Sequence, residues 1–232
     1  MITEEELRKN YETVLNNIRI HAEKVGRNCD EIKLVAVTKT QPIEVLNLAL
    51  NVGIKVFGEN YAQELRDKAK VLQNLGIEWH FIGRIQTNKV KYIVPVAKLI
   101  HSVYRLEELE EIDKVAKKLD KTQLVLLEVN VSGEETKAGL QPEQVRNFLI
   151  EASKYTNVKI VGLMTMAPYI EPEMTRVYFK KLRALRDELK SDFPDIVELS
   201  MGMTNDYTVA VEEGSTIVRI GTALFGERKS KR

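Results

Sequence analysis

A closed (β/α)8 barrel of the TIM type, with one extra helix in front, is the fold this sequence predicts, and three observations predict it. Eight short apolar runs recur along the chain, each separated from the next by a stretch of helical periodicity. The first of them, Leu34 to Val37, has no polar face, which marks a strand covered on both sides, as in a parallel sheet. The chain has 232 residues, close to the ~250 typical of such barrels. A doubly wound open sheet is the alternative, because periodicity does not report whether a sheet closes.

The elements follow in order. Thr3 and Glu6 form a capping-box pattern, and Leu7, Tyr11, Val14, Leu15, Ile18, Ala22 and Val25 recur at helical spacing, so residues 1–26 read as a leading helix. Leu34 to Val37 is the first strand. Pro42 and Gly53 bracket the first barrel helix, because proline suits a first helical turn and glycine a C-cap. Ile54 to Phe57 is strand two, followed by a helix from Glu59 to Asn74. Glu78 to Phe81 is strand three, with a short helix from Gln86 to Val94. Lys98 to His101, a helix from Leu106 to Leu119, and Gln123 to Val129 supply strands four and five. A helix from Pro142 to Lys154 leads to strand six, Lys159 to Leu163. The long helix from Pro172 to Lys190 leads to strand seven, Ile196 to Leu199. A helix from Asn205 to Glu213 precedes strand eight, Thr216 to Ile220. No linker-like tract interrupts the alternation, so residues 1–232 read as one domain with a charged tail at 227–232.

Composition narrows the function. A formal net charge of +1 removes the simplest argument for a nucleic-acid or anionic-membrane partner. The basic cluster Arg84, Lys89 and Lys91 and the tail 228–232 lack interleaved aromatics and read as solvated charge. Cys29 is the only cysteine, which leaves no intramolecular disulfide and suits a reducing compartment. His21 and His101 have no partner at metal-ligand spacing, so no metal site is expected. The acidic start Met1 to Glu6 is unlike a signal peptide, and no apolar stretch approaches the ~20 residues of a membrane span. A cytoplasmic location is expected.

In a barrel, residues just past the carboxyl ends of the strands converge on one mouth, where active sites are built. Strand one delivers Lys39 there. Burying an amine costs several kcal/mol unless its charge is lost or paired, and a neutral amine is a nucleophile suited to a carbonyl, either of a substrate or of pyridoxal phosphate (PLP). The alternative is a lysine that snorkels to solvent. The other strands deliver Asn60, His80 to Gly83, Asn130 with the loop 132–139, Met164 to Pro168, Ser200 to Thr204, and Gly221 with Thr222. The loops after strands seven and eight are common phosphate sites, and Ser200, Gly202, Gly221 and Thr222 offer hydroxyls and glycines there. Arg219 lies inside an apolar run and cannot shed its charge, so it must find an acceptor near the mouth. Together Lys39, these loops and Arg219 give candidates for the aldehyde, phosphate and pyridine nitrogen of PLP.

These residues carry a resemblance. Ala36 to Thr40, Phe57 to Glu64, His80 to Lys89, Asn130 to Gly139, Gly162 to Ala167, Leu199 to Asp206 and Val218 to Gly226 are similar to the PLP homeostasis proteins, relatives of the alanine racemase N-terminal barrel. The match is looser at Arg84 to Thr87, where relatives often have proline, leucine and serine at the first, second and fourth positions. The resemblance implies that Lys39 forms the PLP aldimine, that Ser200, Gly221 and Thr222 hold the phosphate, and that Arg219 faces the pyridine nitrogen. It further implies that Asn60, His80 and Met164 lie near the ring. Residues 221–232 follow strand eight, so the domain that brings a second base to the racemases is not expected. The expectation is a monomeric PLP-binding protein of vitamin B6 and amino-acid homeostasis, exchanging cofactor with amino acids or PLP-dependent apoenzymes, with little or no turnover. Lys137 is a candidate second amine or a solvated loop lysine. Competing expectations are a racemase-like enzyme using Lys39 with His80 or Tyr61, and a cofactor-free Schiff-base lyase.

Overall fold

The computed structural model describes residues 1–135 and 137–227. Its eight strands close in sequence order into one all-parallel barrel. They are β1 (Lys33–Val37), β2 (Val56–Glu59), β3 (Glu78–Phe81), β4 (Leu99–Val103), β5 (Gln123–Glu128), β6 (Val158–Met164), β7 (Glu198–Ser200) and β8 (Ile217–Ile220). The helices are α1 (Glu4–Lys24), α2 (Ile43–Asn51), α3 (Ala62–Val71), α4 (Val90–Ile93), α5 (Leu106–Lys118), α6 (Val145–Ala152), α7 (Arg176–Lys190), α8 (Tyr207–Glu212) and α9 (Thr222–Phe225). Closure is made by β1 against β8, with Lys33 paired to Ile217 and Ala36 to Ile220. The open sheet is thereby excluded.

Helix α1 begins as its sequence predicts. The Thr3 hydroxyl oxygen accepts the Glu6 N–H at 3.1 Å, satisfying one of the donors a helix start leaves unpaired. Leu7, Val14, Ile18 and Ala22 are its buried face. Asn10 donates to the Leu224 carbonyl at 2.8 Å and Asn17 to the Tyr207 hydroxyl at 2.9 Å, so α1 is pinned across α8 and α9.

Several boundaries differ from the sequence reading, among them β2, which runs Val56–Glu59 instead of Ile54 to Phe57. Helix α3 starts at Ala62 instead of Glu59, because Gly58 and Glu59 continue the ladder opposite His80 and Phe81. Strand β7 runs Glu198–Ser200 instead of Ile196 to Leu199, because the Ile196 N–H closes a turn on the Phe193 carbonyl. The prolines expected to open helices open 3-10 turns, Pro142–Gln144 and Pro172–Thr175, that lead into α6 and α7.

Strand alternation sorts the core into two parts. Phe57, Phe81, Ile100, Leu127, Leu199 and Val218 face the helices and join the large outer core. Val35, Leu99, Leu126, Met164 and Ile217 form a separate small cluster inside the barrel. Barrel interiors are ordinarily filled by branched apolar layers. Here the same inward rows also carry His80, His101, Glu128, Ser200 and Arg219, all buried.

Candidate functional site

Lys39 follows β1 and is half-buried in a turn. It shares the parity of Val35, which faces the barrel interior, and of Val37, which lies against Gly221. Its neighbour Thr38 has the opposite parity and faces the barrel wall. There the Thr38 hydroxyl donates to Glu59 Oε1 at 3.1 Å, and its carbonyl accepts Lys68 Nζ at 2.7 Å. The other neighbour, Thr40, has φ 64°, a left-handed conformation that is unfavourable for a β-branched residue. Its N–H donates to Glu64 Oε1 at 2.5 Å. Lys68, only 6% exposed, ties these parts together, bonding Glu59 at 2.5 Å and Glu64 at 2.7 Å. Burial pushes the Glu59 carboxyl up to about 7, with the Lys68 ammonium pulling the other way. The turn that presents Lys39 is thus clamped from outside the barrel by α3.

Inside the barrel a file of polar groups runs from the amino-end mouth towards the carboxyl-end mouth. Glu78 Oε2 lies 2.7 Å from Lys33 Nζ and 2.7 Å from His80 Nε2. His80 Nδ1 meets His101 Nε2 at 2.8 Å, and His101 Nδ1 meets Ser200 Oγ at 2.8 Å. Ser200 Oγ accepts Arg219 Nη1 at 2.5 Å, and Arg219 Nη2 donates to the Thr165 carbonyl at 3.0 Å. The hydrogen bond from His80 holds the Glu78 carboxyl down at about 2. Burial lowers His80, and burial together with neighbouring positive charge puts His101 well below the ordinary histidine value. Burial likewise lowers Arg219 to about 10, with Glu128 and Asp206 acting in the opposite sense.

Two carboxyls flank Arg219, and neither makes an ion pair with it among the described residues. Glu128, at the end of β5, is buried, and its Oε2 has no hydrogen-bond partner. Burial pushes it up to about 7 despite Arg219. It lines a cavity of about 220 Å³ with Asn130, Lys137 and Met166. Asp206, also raised by burial, accepts the Met203 N–H at 2.9 Å and so shapes the loop after β7. In that loop Gly202 has φ 104°, and a Cβ there would sit 2.7 Å from Ala210 Cβ, so only glycine fits. The N–H groups of Gly202, Thr204 and Asn205 make no hydrogen bond among the described residues. The Thr204 hydroxyl accepts the Ala223 N–H at 3.0 Å, joining this loop to the start of α9, where Gly221 is the N-cap and Thr222 the first residue.

The expected residues therefore fall into groups. Lys39, Asn60, Gly221 and Thr222 lie just past strand ends at the carboxyl-end mouth, and Asn60 Oδ1 is buried without a partner. Arg219 lies inside the barrel. Met164 is in the interior apolar cluster. Ser200 and His80 also lie inside the barrel. The Ser200 hydroxyl is enclosed between His101 and Arg219. Both His80 nitrogens are engaged, and its ring lines a cavity of about 520 Å³ with Lys33, Leu99 and Ile217 towards the amino ends of the strands. Lys137 pairs with Glu134 at 3.5 Å and lines the Glu128 cavity. The tail at 228–232 lies outside the described residues. No group of three or more metal-ligating side chains occurs among the described residues, and no described helix is long and apolar enough to cross a membrane.

Sequence reasoning missed Lys68, Glu64, His101, Glu78 and Glu128. The i,i+4 spacing of Glu64 and Lys68 on one helix was the available signal for the first two. Nothing local marks the histidine pair.

Comparisons with known proteins identify the family of this fold. The family model for the alanine racemase N-terminal domain matches residues 10–229. A pyridoxal phosphate homeostasis protein of Aquifex aeolicus is 51% identical over 218 residues, which cover 93% of this chain and 96% of that relative. The crystal structure of an unknown protein from Bifidobacterium adolescentis matches with TM-score 0.91 and 34% identity, over 97% of this chain and 98% of the other. PipY of Synechococcus elongatus, solved with PLP bound, matches with TM-score 0.79 and 33% identity, over 90% of this chain and 99% of PipY. With its closed barrel and near full-length similarity to these proteins, this chain belongs to the pyridoxal phosphate homeostasis protein family, built on the alanine racemase N-terminal barrel.

Proposed function

We propose that this protein binds PLP reversibly at the carboxyl-end mouth and holds it for exchange, without turning it over. The site passes a test of fit on its own atoms. Unsatisfied N–H groups at Gly202, Thr204 and Asn205 suit a phosphate. Glu128 Oε2 and Asn60 Oδ1 are buried acceptors lacking a donor, and a buried polar atom ordinarily has one. When bound, PLP supplies an aldehyde that condenses reversibly with amines and a pyridine ring that can draw in electrons.

Lys39 provides the amine, and the clamp of Glu64 and Lys68 on its neighbours keeps it directed at the mouth. Gly221 and Thr222, with the β7 loop, take the phosphate; Asn60 and Met164 border the ring. Arg219 carries the functional conclusion. It is a buried donor with no accepting capacity, and no carboxylate is paired to it among the described residues. A pyridine nitrogen facing such a group accepts a hydrogen bond and stays unprotonated, because a second positive charge there is repelled. An unprotonated ring is a weak electron sink, so the site favours holding over catalysis. A racemase-like second base at His80 is disfavoured, since both ring nitrogens are already committed. Lys39 would hold the cofactor's aldehyde, and an incoming amine from an amino acid or a recipient apoenzyme could take its place. We take the working form to be a cytoplasmic monomer.

The test is to mix the purified protein with PLP and record its visible absorption. A yellow band present in wild type and absent in Lys39→Ala supports the proposal. A protein that stays colourless refutes it, and amino-acid racemisation well above that of free PLP would replace it with the enzyme reading.

A further inference from the structure

The polar file from Arg219 to Glu78 has a direction that chemistry fixes. Arg219 can only donate, so Ser200 Oγ accepts at that junction. At the other end the Glu78 carboxylate only accepts, so His80 Nε2 carries a hydrogen. A neutral His80 then has its lone pair on Nδ1, and His101 Nε2 must donate to it across 2.8 Å. That leaves the lone pair of His101 on Nδ1, which takes the one hydroxyl hydrogen of Ser200, again across 2.8 Å. Each junction holds one hydrogen, and none is left over. His80 is 1% exposed, and His101 and Ser200 are fully buried, so water does not compete for these positions.

We propose that His101, backed by His80 and Glu78, is a positioning residue for Arg219: it turns the Ser200 hydroxyl so that oxygen lone pairs, and not its hydrogen, meet the guanidinium. This rests on the reading that Arg219 faces the cofactor's ring nitrogen. With Nη1 held by Ser200 and Nη2 by the Thr165 carbonyl, the plane of the guanidinium is fixed at two points. The direction of its remaining N–H groups is then set before any ligand arrives, which is the physical meaning of preorganisation. Were the Ser200 hydrogen turned the other way, two donors would face each other in a dry interior, and Arg219 would have to leave its place.

Two measurements test this. In 15N-labelled protein without cofactor, long-range 1H–15N spectra should show His80 and His101 as neutral rings with the hydrogen on Nε2 near neutral pH. Wild type, Ser200→Ala, His101→Phe and His101→Gln are then loaded with PLP, and the absorption band and the rate of cofactor release to a scavenger are recorded. Ser200→Ala and His101→Phe should shift the band and release cofactor roughly tenfold faster, as expected for the loss of one hydrogen bond to a charged group. His101→Gln should recover most of the wild-type behaviour, because an amide can accept from Ser200 and donate to His80. Ser200→Ala changes little volume and keeps the test open should a His101 variant fail to fold. A hydrogen on Nδ1 of His101, or an unchanged band and release rate in Ser200→Ala, would overturn the proposal while leaving the PLP site standing. Failure of wild type to take up PLP would overturn the site reading and this proposal with it, whatever the tautomers.

Discussion

Lys68 Nζ donates to the carbonyl oxygen of Thr38 at 2.7 Å, so a lysine on the outer side of the barrel wall holds the residue that precedes Lys39. The same ammonium bonds Glu59 and Glu64, and Glu64 holds the residue that follows. Presentation of the proposed PLP-binding amine therefore depends on a buried ion cluster that never touches the cofactor.

Replacing Lys68 by methionine should destabilise the protein by about 3–5 kcal/mol, the usual cost of removing one partner of a buried pair. The loss should be smaller at pH 6 than at pH 8, because Glu59, already raised to about 7 by burial, takes up a proton in place of the ammonium. Urea unfolding at the two pH values measures this, and an equal loss at both would contradict it. Cofactor release should also quicken.

Thr40→Gly should raise stability by about 1 kcal/mol by relieving the left-handed conformation at φ 64°. The freed turn should release cofactor faster, so thermal unfolding and release kinetics move in opposite functional directions. A variant that is both less stable and unchanged in release would show that the turn stores no strain.

Glu128 gives a pH dependence of known sign. Its folded value of about 7 lies above the ordinary 4.5, so the folded state holds the extra proton between those values. Stability from this group is present at low pH and is lost as pH rises through about 7. Glu128→Gln should flatten the fall in stability between pH 5 and 7 by at most ~1.4 kcal/mol per pH unit, the effect of one proton. Glu59 shifts in the same sense, so some slope should remain.

The two interior histidines act in the opposite sense. Both are lowered from 6.5 in the fold, so their contribution is present above that value and is lost as pH falls below it, when the unfolded chain takes up protons. Wild type compared with His101→Gln by denaturant unfolding at pH 5 and 7 isolates one ring. The variant should lose less stability on acidification.

The barrel was legible because its evidence is local. Runs such as Leu34 to Val37 and the spaced apolar residues of α1 and α7 carry their own periodicity, and eight alternations leave few topologies. The mouth was partly legible for the same reason, since a strand end fixes where Lys39 and Gly221 emerge. Helix α9 escaped notice because its four residues are too few to show a period. The polar file was hidden for a different reason. His80 and His101 are 21 residues apart, and His101 and Ser200 are 99 apart, so only closure of the barrel brings them together. Taken alone, His101 has no partner in the sequence, and nothing near Ser200 in the chain signals that its hydroxyl meets Arg219 and His101. The Lys68 cluster was obscured because a charged helix face such as that of α3 ordinarily reads as solvated.

The most direct test of the central claim is to reduce the PLP-loaded protein with borohydride and map the modified peptide by mass spectrometry. The pyridoxyl group should be found on Lys39, with none on Lys68 or Lys137. Its appearance at another lysine, or its absence from a protein that has taken up PLP, would contradict the account.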